Sequence, residues 1–301
     1  MLNDPLENFV ENGFCELGKI LDPSDCDDLL KQVYSIHKLS SNIFLTEEEF
    51  RKNPQYRHKN PYMSENNLAE KVDLNFIENN PKIQNYLLKV LGPDYNILFK
   101  KFIVGVPPQW IPDWVKMKAK DVSMTNLGPY IKPEFSDISY FIGVDFHQDL
   151  VDHKNRIPDF VTLYVYLDDV NEDSSPLILS PKSHILGATT FPHDITLGKD
   201  KKSITYSNRK GRSEKLLLKP LFGEKGSVNF WAPLILHGTK PMRNNIPRIS
   251  LRYLIEKNSK NMENFLIDEH SKCVEGPLST SVPRIDVNKE GKFINSKKVL
   301  K

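Results

Sequence analysis

Cysteine, glycine, charge of one sign and long apolar runs are what this chain of 301 residues has little of. Its 3 cysteines, Cys15, Cys26 and Cys273, are too few and too irregularly spaced for a disulfide framework or a cysteine-ligated zinc cluster. No apolar stretch approaches the roughly 20 residues of a membrane span. The opening residues MLNDPLENFVENGF lack the basic segment and apolar run of a secretory signal. The expectation is therefore a cytoplasmic protein with no membrane span. With 41 basic against 39 acidic residues and a net charge of +2, nothing points to nucleic acid or an anionic membrane. The basic clusters GKDKK, NRKGR and NSKKVLK fall in expected loops and at the terminus, where they read as solvated charge. Glycine (14) is outnumbered by proline (21), which argues for many turns and strand ends and against a helical bundle. No internal repeat is visible.

What is present suits a globular protein with a sizeable core: 39% hydrophobic and 27% charged residues. Residues 22–36 predict a helix, with Asp22 as cap, Pro23 in the first turn and an apolar stripe of Cys26, Leu29, Leu30, Val33 and Ile36. A second helix is expected over 81–91, stopped by Gly92-Pro93. From Asn96 the texture turns to strands: NILFKKFIVGV, PDFVTLYVYLDD with its period-2 alternation, SPLILSPKSH, GSVNFWAPLILHG and PRISLRYLIE. Between the first two lies a long irregular stretch, 107–143, whose Trp110 and Trp114 suggest a pocket wall or lid. The expected architecture is mainly β with flanking helices, a jelly-roll core within one domain spanning 1–301. A mostly helical N-terminal segment (1–95) packs on the core (96–257), and 258–301 forms a C-terminal extension.

The stretch VDFHQDLVDH carries the chemistry to test. In extended backbone, residues i and i+2 project to one face, so His147 and Asp149 would lie side by side as two ligands of one metal. A lone His-x-Asp is more often a polar strand end or turn; a third ligand changes the balance. His237, closing the apolar run WAPLILHG, is the candidate, against the simpler reading of a capped strand end. Two His and one carboxylate make the facial triad of non-haem Fe(II) oxygenases, with three coordination positions open. Eleven residues on, Arg248 opens the next strand, where a guanidinium can clamp the far carboxylate of a dicarboxylic cosubstrate. Thr239 adds a hydroxyl beside it, and Arg252 is the rival anchor.

With these residues in view, the sequence resembles the phytanoyl-CoA dioxygenase-like (PhyH) family of Fe(II)/2-oxoglutarate-dependent oxygenases, over roughly residues 6 to 256. The likeness runs through FVENGFCELGKILDPSDCDDLLKQV, FHQDL, LYVYLDDVNEDSSPLILSPKSH and LHGTKPMRNNIPRISLRY, in that order. It implies a double-stranded β-helix (cupin-like) core. It also implies iron held by His147, Asp149 and His237, and 2-oxoglutarate anchored by Arg248 with Thr239, Tyr164 and Thr162 nearby. The implied reaction turns 2-oxoglutarate and O2 into succinate and CO2 while hydroxylating a small molecule. Related halogenases lack the carboxylate ligand, so Asp149 argues for hydroxylation or desaturation instead. His184 in Pro-x-Ser-His either lines the substrate pocket or is structural, and His193 after it is expected to approach the substrate. Where the family usually has glycine, this chain has Ser175 and, commonly, Lys182. His153, His37, His58 and His270 are expected at the surface. Two alternatives stay in play: a catalytically silent metabolite-binding protein on the same fold, and a zinc hydrolase built on the same triad.

Overall fold

The computed structural model describes residues 6, 9–52, 66–120, 122, 124–208, 211–258, 260, 263–288, 294 and 298–300. Among them run the strands β1 (Phe14–Lys19), β2 (Asn96–Gly105), β3 (Met124–Asn126), β4 (Ser139–His147) and β5 (Phe160–Tyr166). They continue as β6 (Leu177–Leu179), β7 (Asp194–Leu197), β8 (Ser203–Ser207), β9 (Ser213–Leu217) and β10 (Lys219–Leu221). The last are β11 (Ser227–Trp231), β12 (His237–Thr239) and β13 (Arg248–Glu256).

One row of strands, β1-β11-β5-β13-β2, continues through a short parallel pairing of β2 with β4 into a second row, β4-β12-β6-β10. From β4 to β6 and again from β11 to β13 the chain alternates between the two rows, the winding of a jelly roll. β7, β8 and β9 form a separate antiparallel sheet inserted between β6 and β10. The alternation in FVTLYVY works on two buried faces: every residue of β5 is buried, because β5 sits in the middle of its row. Val161, Leu163 and Val165 join the apolar core shared with Leu29, Val33 and Leu87 of two helices. Each such side chain contributes about 2 kcal/mol on leaving water. Thr162 and Tyr164, on the other face, look into the space between the two rows of strands.

The helix Pro23–Ile36 begins where expected: the Asp22 carboxylate accepts the Ser24 amide at 2.9 Å, and Cys26, Leu29, Leu30 and Val33 are buried. Ile36, placed in the stripe by its spacing, is exposed because the helix ends there. The helix Pro81–Leu91 stops at Gly92, whose φ of +90° is open to glycine at little cost. Ser175 and Lys182, standing where the family usually has glycine, adopt φ of +57° and +65°. Both turns thus keep a left-handed backbone that glycine would adopt without strain.

Several expectations need correcting. Residues 107–143 are not structureless: they hold the helix Asp113–Ala119, strand β3 and the start of β4. The run GSVNFWAPLILHG is not one strand but two, β11 and β12, split by a turn closed by the Ile235 amide on the Ala232 carbonyl. In the segment before β2, mostly helical, β1 pairs with β11 at the edge of the core. His37 is buried and bonded to Asp137 at 2.8 Å, and His270 is fully buried, so neither lies on the surface. His58 falls outside the described residues.

Candidate metal centre and its cavity

Two short neighbours bring the triad together. β4 ends on His147 and β12 begins on His237, and the antiparallel register sets the two residues opposite each other, with ring centroids 4.1 Å apart. Gln148 stays extended before a turn of 3-10 helix opens at Asp149, so the carboxylate falls on the same side as His147. One ligand atom from each of His147, Asp149 and His237 lies within 4.8 Å of the others. Each imidazole bonds backward to a backbone carbonyl through Nδ1, His147 to Asp145 and His237 to Ile235, both at 3.0 Å. That bond puts the proton on Nδ1 and leaves the Nε2 lone pair for a metal. Burial, then the nearby His237, holds the His147 imidazole well below its usual pKa, which keeps it neutral and able to coordinate.

Asp149 is the best-held group in the site. Its Oδ2 accepts the Thr162 hydroxyl at 2.6 Å and the Trp231 indole N–H at 2.9 Å. Its Oδ1 accepts Arg252 Nη2 at 2.6 Å and faces His237 Nε2 at 3.4 Å. Burial opposes the carboxylate's charge, but Arg252 and then the two histidines outweigh it, so Asp149 stays well below the usual carboxylate range. The result is an anion oriented by three side chains from adjacent strands β11, β5 and β13. A divalent cation with two imidazoles and one carboxylate fits this donor set; a structural zinc site would want a fourth protein ligand.

Arg248 lies farther along β13, buried, with Nη2 donating to the Tyr164 hydroxyl at 3.3 Å and Nη1 to the Ser175 carbonyl. Its Nε is buried without a partner among the described residues, a donor that an incoming carboxylate would satisfy. Tyr164, Thr239 and Arg248 line one cavity with the triad. The Thr239 hydroxyl also accepts the Val144 amide at 3.1 Å.

Five of the residues considered for the site are not brought to the cavity. Thr162 does not line the cavity; its hydroxyl is spent on Asp149. His184 is turned away from the cavity and stacks on His270 at 4.0 Å. His193 braces the Asp149 turn from behind, accepting the Gln148 amide at 3.2 Å. Trp110 and Trp114 pack on the core outside the cavity, Trp114 against Phe50 and Tyr130. The stretch 107–143 contributes Asn126 and Phe141 to the wall instead. His153 reaches the cavity with its ring edge on Phe160 and is half-buried. Sequence reasoning missed Lys101, Arg284 and Trp231. For Lys101 a signal existed: a lysine inside an apolar strand, flanked at i±2 by Phe99 and Ile103 on the same face.

Gln148 shows how the middle of His-x-Asp is used. Its carboxamide donates to the Gly187 and Leu234 carbonyls at 2.9 and 3.0 Å and accepts the Thr189 amide at 3.1 Å. Gln148→Leu should strand all three partners, two of them buried, and lower unfolding stability by about 2–4 kcal/mol. A urea titration checks this; an unchanged midpoint would show that the bonds carry no net stability.

The family model described as "Phytanoyl-CoA dioxygenase (PhyH)" matches residues 9–250. No curated protein matches the chain. Among solved structures, it is similar to the non-heme alpha ketoglutarate dependent epimerase SnoN from nogalamycin biosynthesis, at 12% identity and a TM-score of 0.49, covering 84% of this chain and 81% of that one. It is also similar to EvdO2 from Micromonospora carbonacea var. aurantiaca, complexed with 2-oxoglutarate, at 12% identity, TM-score 0.48 and coverage of 86% and 91%. A third, AviO1 from Streptomyces viridochromogenes Tue57, is 15% identical, with a TM-score of 0.47 and coverage of 85% and 94%.

Proposed function

Because the chain belongs to the phytanoyl-CoA dioxygenase (PhyH) family, we propose that it is an Fe(II)/2-oxoglutarate-dependent dioxygenase that hydroxylates a small molecule. The observation that carries this reading is the convergence of His147, Asp149 and His237, both imidazoles presenting Nε2 to one point. When bound, iron and 2-oxoglutarate supply the O2-dependent oxidation, with succinate and CO2 as coproducts.

The chain's own residues do the rest. His147, Asp149 and His237 would hold the metal beside the cavity that they line. Arg248 would take the distal carboxylate of 2-oxoglutarate, with Tyr164 and Thr239 lining the same cavity. Thr162 and Trp231 fix one oxygen of Asp149 and so set the orientation in which the carboxylate would meet a metal. Apolar walls such as Phe99, Ile103 and Val151 exclude water from the reacting centre. Among the described residues no helix is long and apolar enough to cross a membrane.

The test is anaerobic. Addition of Fe(II) and then 2-oxoglutarate should produce a visible metal-to-ligand charge-transfer band, and the band should be lost in His237→Ala. If iron binds to the wild type but no band forms, the cosubstrate assignment fails and the silent binding protein replaces the enzyme.

A further inference from the structure

Both imidazoles of the triad are aimed by the same construction. His147 Nδ1 bonds to the Asp145 carbonyl and His237 Nδ1 to the Ile235 carbonyl, each two residues back along the chain. A peptide unit is planar, so its carbonyl cannot turn unless its N–H turns with it. In both cases that N–H is tied to a buried side-chain oxygen. The Phe146 amide donates to Asp145 Oδ1 at 3.0 Å, and the Leu236 amide donates to Ser183 Oγ at 2.8 Å. Asp145 is 6% exposed and Ser183 is fully buried.

The local backbone explains why side chains take on this task. Between the facing pairs His147 with His237 and Val144 with Thr239, two residues of β4, Asp145 and Phe146, oppose one of β12, Gly238. Such a bulge takes a residue out of regular ladder pairing and re-aims the side chains beside it. Gly238 leaves the room that the bulge needs. A Cβ there would lie 2.6 Å from the Val144 carbonyl oxygen and 3.1 Å from the Asp145 carbonyl carbon. Leu236 lies in the turn before β12, outside the paired strands. Its amide is met by Ser183, the serine of Pro-x-Ser-His, in the 3-10 turn that follows β6.

The Asp145 carboxylate is itself held from the C-terminal extension. Its Oδ2 accepts the Val299 amide at 2.7 Å and its Oδ1 the Leu300 amide at 2.9 Å. Leu300 is buried in one apolar cluster with Phe146 and Leu236, the residues that precede the two histidines.

We propose that Asp145 and Ser183 are positioning residues, each fixing the peptide unit that aims one imidazole of the triad. The inference rests on the metal-centre reading and deepens it by naming what holds the two rings in place. Neither side chain belongs to the triad; Asp145 acts on His147, and Ser183 on His237, through one backbone amide and carbonyl. A ring whose Nε2 is already directed need not be ordered when a metal binds, and supports of this kind are worth about ten- to a hundredfold in metal affinity.

The experiment follows the two rings separately. In metal-free protein labelled with 15N at histidine, long-range proton–nitrogen spectra should show both His147 and His237 protonated at Nδ1. Asp145→Ala should speed solvent exchange of the His147 ring proton about tenfold and leave that of His237 within about threefold, and Ser183→Ala should do the reverse. Each variant should weaken Fe(II) binding, read by anaerobic titration, about ten- to a hundredfold. Asp145→Asn leaves one acceptor oxygen for three amides, so it should act in the same direction and decides the His147 half if Asp145→Ala does not fold. The proposal is overturned if either ring carries its proton on Nε2 in the wild type. It is overturned equally if both rings loosen alike in every variant, as general destabilisation would produce, or if the folded variants bind Fe(II) within about threefold of wild type. Failure of the wild type to bind Fe(II) at all is a separate result: it overturns the metal-centre reading, and this proposal with it.

Discussion

Asp149→Ala should abolish 2-oxoglutarate turnover, a fall of about a thousandfold or more, equivalent to about 4 kcal/mol of transition-state stabilisation. The physical reason is that Asp149 is the triad's anion and the group that orients the rest. Removing it leaves two imidazoles and no anion for a dication, and it also strands three donors. Trp231 Nε1, the Thr162 hydroxyl and Arg252 all point at its carboxylate. An unpaired Arg252 beside the vacated position would repel the metal as well. The variant can therefore lose stability as well as ligation, so Asp149→Asn belongs in the same experiment. Asparagine keeps an oxygen for Thr162 and Trp231 but not the charge, and its turnover should fall nearly as far. Succinate formation and an anaerobic iron titration are the readouts. Wild-type succinate formation in a folded, iron-loaded Asp149→Ala protein would remove this residue from the metal's ligands.

Arg248→Ala carries the second large effect, of a different kind: the 2-oxoglutarate concentration needed for half-maximal turnover should rise about a hundredfold, while iron affinity stays within a few-fold. A buried guanidinium paired to a carboxylate contributes about 3 kcal/mol when its partner cannot be replaced by water, which corresponds to that factor. The structure supports the division of labour between the two arginines of β13. Arg248 is braced by the Tyr164 hydroxyl and the Ser175 carbonyl and keeps its Nε without a partner among the described residues, whereas Arg252 is engaged at Asp149. If the requirement for 2-oxoglutarate is unchanged in Arg248→Ala and rises in Arg252→Ala, the anchor is Arg252.

Much of the site was legible because its motifs sit on short, regular pieces of backbone. The i, i+2 spacing of His147 and Asp149 worked because Gln148 is extended, even though the strand ends at His147 and a 3-10 turn follows. Arg248 and Arg252 could be placed on one strand face by period 2 alone, and both line the cavity. The misreadings came where spacing says nothing about direction. Thr162 and Tyr164 share a face, yet one hydroxyl serves Asp149 and the other Arg248, because their neighbours on β11 and β13 differ. The sequence left His184 open between pocket wall and structural residue; it is buried against His270, which comes from the helix Leu266–Lys272 more than eighty positions on.

By itself, then, the sequence determined the class of fold, the two capped helices, the strands of the second half and the set of residues able to hold a metal and a dicarboxylate. These follow from local rules: side-chain periodicity, proline and glycine at element ends, and the chemistry of imidazole, carboxylate and guanidinium. Only the tertiary structure decided which groups meet. Trp231 reaches Asp149, Lys101 stands beside Arg252, and Arg284 closes on Asp152 from far along the chain. The physical reason is that strand order and register in a jelly roll are set by long-range pairing, so adjacency across the sheet is written in no local pattern.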